Sequence, residues 1–513
     1  TDSETTFNWT IDGKSICTTS TLTFSADEAG RYFILISATN AGGTTEKEIR
    51  IDVFQLDVPT ISIADADKGF KVLQGSELTI TPIVDSFLET SYSWQINGED
   101  ISNELTCTLP TIELGEYQVR FATHNEDGDD EVTFKVEVCS PDQVDFNWTF
   151  LQTEYNMSAG RTIRIKPVDV NNALDAVYTW TVDNEQVQSG ENDTYLFTSE
   201  QQGEHTVKVE MKNSYILATQ TLKVNVCPPA GTYQRKISAT SSASMNKVYE
   251  YLPAPGQFIN ENHNTITMAE ACTYAEERIN QTAYVSLGGF GGYIIVGFDH
   301  SIVNDGDYNI AITGNAFDGS SEPGIVWVMQ DENGDGLPND TWYELRGSEY
   351  GKAETWQDYA VTYHKPTGIQ LPTPWTDNHG QSGSIDYLGA FHRQDYYYPA
   401  WVKEKQYTLR GTRLKERNYD QSGNGTYWVN DSYEWGYADN FSAIDRLTDD
   451  DNYNAGPSDN HFKISHAVTF DGKDANLKYV DFIKVQVGVN SKSGWLGEIS
   501  TEVFGIKDFN MLK

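Results

Sequence analysis

Three tryptophan-centred segments, TFNWTIDGKSI, SYSWQINGEDI and VYTWTVDNEQV, recur with their tryptophans at Trp9, Trp94 and Trp180, 85 and 86 residues apart. Self-similarity at a fixed period marks one structural unit used several times. A second landmark keeps step with the first. Gly30-Arg-Tyr32, Gly115-Glu-Tyr117 and Gly203-Glu-His205 each open a segment that alternates apolar and polar residues, and Asn40, Asn125 and Asn213 follow them. Each unit closes on another alternating stretch: EKEIRIDV, VTFKVEV and TLKVNV. A period of two is that of a strand with one buried face. A tryptophan on a central strand, packed under a strand whose early tyrosine ties down the neighbouring crossover, is the core of an immunoglobulin-type sandwich.

Tryptophan with Asp or Asn three residues on, then Gly-x-Tyr and a strand ending in Asn, resembles the polycystic-kidney-disease (PKD) type of immunoglobulin-like domain common on bacterial surfaces. The resemblance covers about residues 1–227 and gives units at 1–54, 55–139 and 140–227, expected to act as spacers. About 40 residues precede the tryptophan in the second and third units but only eight precede Trp9, so an incomplete first domain is expected. No cysteine pair flanks the tryptophans. Cys139 and Cys227 occupy equivalent unit ends where the first unit has Phe54, and with Cys17, Cys107 and Cys272 they are read as free thiols in a semi-buried or buried setting. None has metal-site spacing.

After Cys227 the segment PPAGTYQRK breaks the period, which places a boundary near 228–232. The tail, 228–513, reads as one helix, Met268 to Gln281, and about nine strands: AYVSLGG, YIIVGFD, YNIAITG, GIVWVMQ, WYELRG, YAVTYH, HAVTFD, VDFIKVQVGV and STEVFGI. The fold class is therefore all-β: tandem immunoglobulin/PKD-like sandwiches followed by a larger jelly-roll-type sandwich with one short helix and a long aromatic insertion. With 36 Lys+Arg against 75 Asp+Glu the net charge is −39, a field that repels nucleic acid and anionic membrane surfaces. No run of about 18 apolar residues is present to span a membrane. Thr1 to Thr6 carry no export signal, so localisation is argued indirectly.

The sharpest local motif is Asp331-Glu-Asn333-Gly-Asp335-Gly-Leu337-Pro-Asn339-Asp340. Oxygen ligands at positions 1, 3 and 5, a glycine at 6 and a carbonyl at 7 suit a Ca²⁺ ion, so Asp331, Asn333, Asp335, Leu337 and Asp340 are candidate ligands. Position 12 is Trp342 rather than Glu, so the loop is no EF-hand; an acidic β-turn satisfies the same residues. The string from Tyr284 to Phe317, with EPGIVWV and the late GWLGEISTEVFGI, is similar to a family of bacterial surface proteins. That resemblance implies a galactose-binding-like jelly roll, and a place beside outer-membrane nutrient uptake in Gram-negative bacteria, cobalamin uptake included. The glycines of Leu287-Gly-Gly-Phe-Gly-Gly292 lack a following helix and a Lys-Ser/Thr, so they read as a hairpin rather than a phosphate cradle.

Residues 346–440 show weak strand patterning, and 20 of the 96 residues 342–437 are aromatic. Exposed rings stack on sugars and planar ligands, which makes Trp356, Trp375, Tyr397, Trp401, Trp428 and Trp435 the candidate contacts. The competing reading packs these rings inside the insertion. Asp439 in YADN and Glu498 in GEIST are the acids that stand out, as ion ligands or strand-end acceptors. The nine histidines are scattered, His379 and His392 among those in the aromatic region. No G-x-S-x-G, H-E-x-x-H or Cys/His nucleophile context is present. The function expected is therefore a surface-exposed, lipid-anchored, non-enzymatic binding protein for a glycan or other small nutrient, acting with an uptake complex. The alternatives are a glycoside hydrolase-like enzyme, a cobalamin-uptake accessory protein and a purely adhesive protein.

Overall fold

The computed structural model describes residues 4–53, 56–111, 113–140, 147–171, 173, 176–213, 217–261, 263–447 and 457–513; Phe54 lies outside them. The chain forms two compact units. One holds Thr1–Gly69, Val84–Cys107 and Tyr117–Lys135, and the other Phe70–Ile83, Thr108–Glu116 and Val136–Lys513.

In the first unit, the first repeat is a four-stranded sheet in the order Lys14–Cys17, Thr6–Ile11, Gly30–Asn40, Gly43–Val53. Its opening hairpin turns through Asp12 and Gly13, both at positive φ (49° and 76°), and Asn97-Gly98 repeats this at 50° and 88°. Two consecutive left-handed residues give the turn whose twist matches the flanking strands. Trp9 Nε1 donates to Thr19 O and Trp94 Nε1 to Glu104 O, each at 2.9 Å and ten residues on. Burial separates the two. Trp94 is 0% exposed, with Phe121 at 4.6 Å and Phe134 at 6.5 Å. Trp9 is only half-buried; among the described residues the first repeat forms one four-stranded sheet. Tyr32 Oη donates to Glu28 O at 2.7 Å, the tie-down expected of the Gly-x-Tyr signature.

The second unit contains the third repeat. Its five-stranded sheet runs Glu154–Ser158, Leu217–Cys227, Gly203–Lys212, Val177–Val182, Glu185–Gly190, with Thr162–Ile165 paired to Tyr195–Thr198. Trp180 is 0% exposed, in a core with Met157, Phe197, Val209 and Leu222, and its ring stacks on Tyr195 at 5.5 Å. His205 takes the tyrosine's place and keeps its bond, with Nε2 3.0 Å from Gln201 O. All five cysteines are free thiols.

Beyond Cys227, three sheets and the helix Met268–Asn280 share one hydrophobic core. The largest sheet runs Lys247–Leu252, Tyr293–Val303, Tyr479–Val487, Gly324–Met329, Trp342–Leu345, Ala467–Val468. Its central strands are buried at nearly every position, on both faces, so burial does not alternate along them even where Asp481 and Gln486 interrupt the apolar residues. A three-stranded sheet runs Ser458–Phe462, Ile310–Gly314, Gly505–Asp508. The helix starts at a Thr267/Glu270 capping box and buries Ala271, Ala275 and Ile279, one per turn. The glycines after Leu287 form a tight turn. Gly288 sits at φ +70°, and a Cβ there would strike Ala254 O, so close backbone approach is what the run provides.

The region read as a long insertion with little regular structure is corrected. It holds a four-stranded sheet, Ser382–Ile385, Thr373–Asp377, Trp356–His364, Gln406–Arg413, and a hairpin of Asn418–Asp420 with Trp428–Asn430. The strand read at YAVTYH is present within Trp356–His364; periodicity missed its neighbours because Gly383 and Gly411 sit where an alternating pattern calls for apolar side chains, and rings supply much of the core contact.

Glu344 and Lys484 are paired to Trp327 from opposite sides of its strand. Burial pushes Glu344 up to about 7, against the lowering effects of the Thr412 hydroxyl and Lys484, and pushes Lys484 down to about 8. A carboxyl raised in the folded state adds stability below its unfolded value of 4.5 and loses it as pH rises through about 7. Melting temperature measured between pH 5 and 7 should therefore fall less steeply in Glu344→Gln than in the parent chain; identical slopes would contradict this assignment.

Candidate functional site

Three places in the second unit gather the chemistry. The first is a cleft of about 310 Å³ lined by Tyr308, Leu345, Arg346, Trp435, Gly436, Ile444, Asp445, His461, Phe462, Lys463 and His466. The strand Ser458–Phe462 brings His461, and the turn after it brings Lys463 and His466. Trp435 reaches the cleft from the segment before Asp439, and its ring lies 5.1 Å from that of His466. That segment is pinned by Asp445, whose Oδ2 accepts from Gly436 N at 2.6 Å and Oδ1 from Asn460 Nδ2 at 2.9 Å. Burial lowers both His461 and His466, so each imidazole is neutral near pH 7. Lys463 Nζ lies 4.7 Å from the Tyr308 ring centre, and Arg346 pairs with Asp474 at 2.9 Å. Flat apolar rings, neutral imidazoles and two cationic tips can stack on a ring and meet its hydroxyl, carboxylate or sulfate groups.

The second place is a buried cluster of acids. Ligand oxygens of Glu322, Asp439 and Glu502 lie within 4.8 Å of one another. Glu322 precedes the strand Gly324–Met329, Asp439 lies four residues past Trp435, and Glu502 opens the short strand Glu502–Val503. Asp439 adopts φ +53°, and Gly314 must be glycine to clear it, since a Cβ there would come within 2.5 Å of its Oδ1. Glu498 and Ser500 precede Glu502 at alternate positions. Glu498 Oε1 accepts from Gln257 N at 2.7 Å, and burial pushes this carboxyl up to about 8. Three of the four segments that feed the cluster are those carrying the resemblance to surface proteins; the fourth is YADN. A glycosidase pair stands about 5–9.5 Å apart across an open cleft, whereas ligand oxygens of these three carboxylates lie within 4.8 Å of one another.

The third place is the loop 331–340. Asp331 Oδ1 and Oδ2 accept from Gly334 N and Gly336 N at 2.7 and 3.1 Å, Asn333 Oδ1 accepts from Asp335 N, and Asp335 Oδ1 from Leu337 N. Side-chain amides of Asn333 and Asn339 donate to Asp335 Oδ2 at 2.9 and 2.8 Å, where a Ca²⁺ ion would need a bare oxygen. Asp340 Oδ2 accepts from Glu332 N, while its Oδ1 is buried without a donor and the carboxyl is pushed up to about 8, chiefly by burial. The fit to Ca²⁺ is therefore partial. What the loop does here is join domains: Glu332 Oε2 accepts from Ser158 N at 2.9 Å, Glu332 pairs with Arg161 at 3.1 Å, and Asn156 Nδ2 donates to Asn339 O at 3.2 Å.

The six candidate contact rings do not converge. Trp435 lines the cleft. Tyr397 and Trp401, 1% and 6% exposed, belong to the core, which corrects their reading as stacking surfaces. Tyr397 Oη bonds His392 O and Leu388 N, and Trp401 Nε1 donates to Tyr251 O, so their polar tips are spent inside the protein. Half-buried Trp356 stacks on His379 at 4.2 Å and carries the Arg413 guanidinium at 4.5 Å. Trp375 packs against the core from the four-stranded sheet, and Trp428 is covered by Gly494. His392 pairs with Glu261 at 2.8 Å. Sequence reasoning missed Tyr308, His461 and His466, for which no local spacing exists. It also missed Glu322 and Glu502; the second acid of Glu498-Ile-Ser-Thr-Glu502, four residues past Glu498, was the available signal.

Residues 58–125 and 130–213 match the PKD-like domain family. Solved structures that align with part of the chain include the fibronectin(III)-like modules of CbhA from Clostridium thermocellum, 15% identical over 35% of this chain and 100% of that one, TM-score 0.18. They also include three N-terminal domains of the highly immunogenic outer capsid protein of bacteriophage RB49, 16% identical over 44% and 88%, TM-score 0.20. A third is the N-terminal Ig1-2 module of the Drosophila receptor protein tyrosine phosphatase DLAR, 12% identical over 33% and 97%, TM-score 0.17. Comparison with curated proteins found no match. Residues 58–125 and 130–213 are thus PKD-like, and a larger β-domain follows Cys227.

Proposed function

We propose that this chain is a non-enzymatic binding protein of a bacterial cell surface, lipid-anchored on a Gram-negative outer membrane, in which the repeats are spacers. Its C-terminal domain, of the galactose-binding-like jelly-roll kind, takes a glycan or similar ring-bearing nutrient in the Trp435 cleft for an uptake complex. The observation that carries the reading is the cleft itself: one aromatic wall, two neutral imidazoles and two cations around about 310 Å³. That volume lies at the lower end of the roughly 300–1,000 Å³ of small-ligand sites, which suits one or two sugar rings better than a whole corrinoid. Arg346 and Lys463 are the cationic side chains of the cleft where an anionic substituent would be held, against the repulsion of the acidic surface.

A glycan array followed by titration tests this, with cobalamin as the competing ligand. Trp435→Ala should weaken binding of the selected glycan at least tenfold, while Trp375→Ala, away from the cleft, leaves it within about twofold. Cobalamin binding with no glycan binding, turnover of a glycan, or no binding at all would each overturn the reading.

A further inference from the structure

We infer that Glu322, Asp439 and Glu502 form a seat for one hard divalent cation of the Ca²⁺ class. Three carboxylates converge within 4.8 Å, and the charged groups acting on them are one another, with Glu498 beyond. A buried charge of this size is not tolerated without neutralisation by a proton or a cation. Asp439 is fixed as an acceptor: Oδ1 takes Asn315 N at 2.7 Å and Ala316 N at 2.9 Å, and Oδ2 takes Glu502 N at 2.9 Å. Burial and Glu322 push this carboxyl well up, against amide donors that favour its ionised form; Oδ1 spends both lone pairs on amides, and Oδ2 keeps one.

Glu502 supplies the second, independent observation. It is 4% exposed, and its Oε1 is buried with no hydrogen-bond donor. Glu498 Oε2 nearby is in the same condition. Buried acceptors of this kind are rare unless something unseen satisfies them. Glu322 is only half-buried, which leaves a way in from solvent. The donors are all oxygen, and such a set selects Ca²⁺, Mg²⁺ or Mn²⁺ over zinc. The alternative neutraliser is a proton shared between Glu322 and Glu502, whose carboxyls lie in hydrogen-bonding contact.

The test is calorimetric titration of the EDTA-treated full chain with CaCl₂ at pH 7.5, and again with MgCl₂ and MnCl₂. Expected is uptake of Ca²⁺ that loses one equivalent in Glu502→Gln and in Asp439→Asn but keeps it in Asp331→Asn, with affinity falling as pH drops to 5 because the ligands must be ionised. No uptake by the parent chain at millimolar cation, or unchanged stoichiometry in Glu502→Gln, overturns the inference in favour of the shared proton. Loss confined to Asp331→Asn places the ion in the 331–340 loop and likewise overturns it. If the cluster variants do not fold, anomalous scattering from Mn²⁺-soaked crystals of the parent chain decides: a peak among Glu322, Asp439 and Glu502 supports the seat, and its absence there refutes it.

Discussion

Replacing Arg161 by alanine should cost about 3–5 kcal/mol of unfolding free energy, the range for removing one partner of a buried ion pair. Arg161 reaches from the third repeat to Glu332 at 3.1 Å, and the two side chains are 18% and 1% exposed. Its other donors hold Gln330 Oε1 at 3.0 Å and Ala475 O at 3.2 Å, and its guanidinium lies over the Tyr343 ring. Without it, Glu332 keeps the Ser158 amide but loses its counter-charge, in a site where burial already raises its carboxyl. The exposed pairs across the same joint, Lys166 with Asp358 at 2.8 Å and Arg410 with Asp169, are each worth at most about 1 kcal/mol. Arg161→Lys should recover only part of the loss, since an ammonium cannot reproduce the fork. Denaturant unfolding read on the third repeat and the C-terminal domain measures it; a loss below about 1 kcal/mol would show that the joint is not held here.

Trp180→Ala should cost about 3–5 kcal/mol, the usual range for an aromatic side chain removed from a core. The ring is 0% exposed, stacks on Tyr195 and touches the residues at the centre of the third repeat. The same change at Trp94, also 0% exposed, should cost a similar amount. Trp9→Ala should cost under about 2 kcal/mol, because a half-buried ring gives up less area to water. Parallel melts of the three variants, each followed on its own repeat, provide the comparison. Equal losses at all three positions would mean that Trp9 is as well covered as its counterparts.

The contrast among those tryptophans also shows what the sequence makes legible. A strand's burial is written locally, in alternate residues, so the repeats and the Tyr32 tie-down can be read without a structure, and so can the helix from its composition. Tyr397 and Trp401 could not be placed that way. Whether a ring faces solvent depends on partners such as Tyr251, about 150 positions away in the chain. The strands that join YAVTYH in one sheet were hidden for a related reason: their inner positions include Trp375, Gly383, Tyr407 and Gly411 rather than alternating aliphatics alone. Asp331 to Asp340 shows a third limit. Oxygen spacing that suits Ca²⁺ also suits a turn closed by its own amides, and only the position of Ser158, Arg161 and Asn156 reveals the joint. The acid cluster draws on segments around residues 322, 439 and 502, so no spacing rule could assemble it, although Asp439 stood out on its own.

Binding at the Trp435 cleft is the centre of the functional account, and a crystal structure of the chain with its selected glycan tests it most directly. The account predicts a sugar ring against Trp435, between Tyr308 and His466, with Arg346 or Lys463 on its polar edge. A sugar bound instead on the repeats, or on the sheet that carries Trp356 and Trp375, would contradict it.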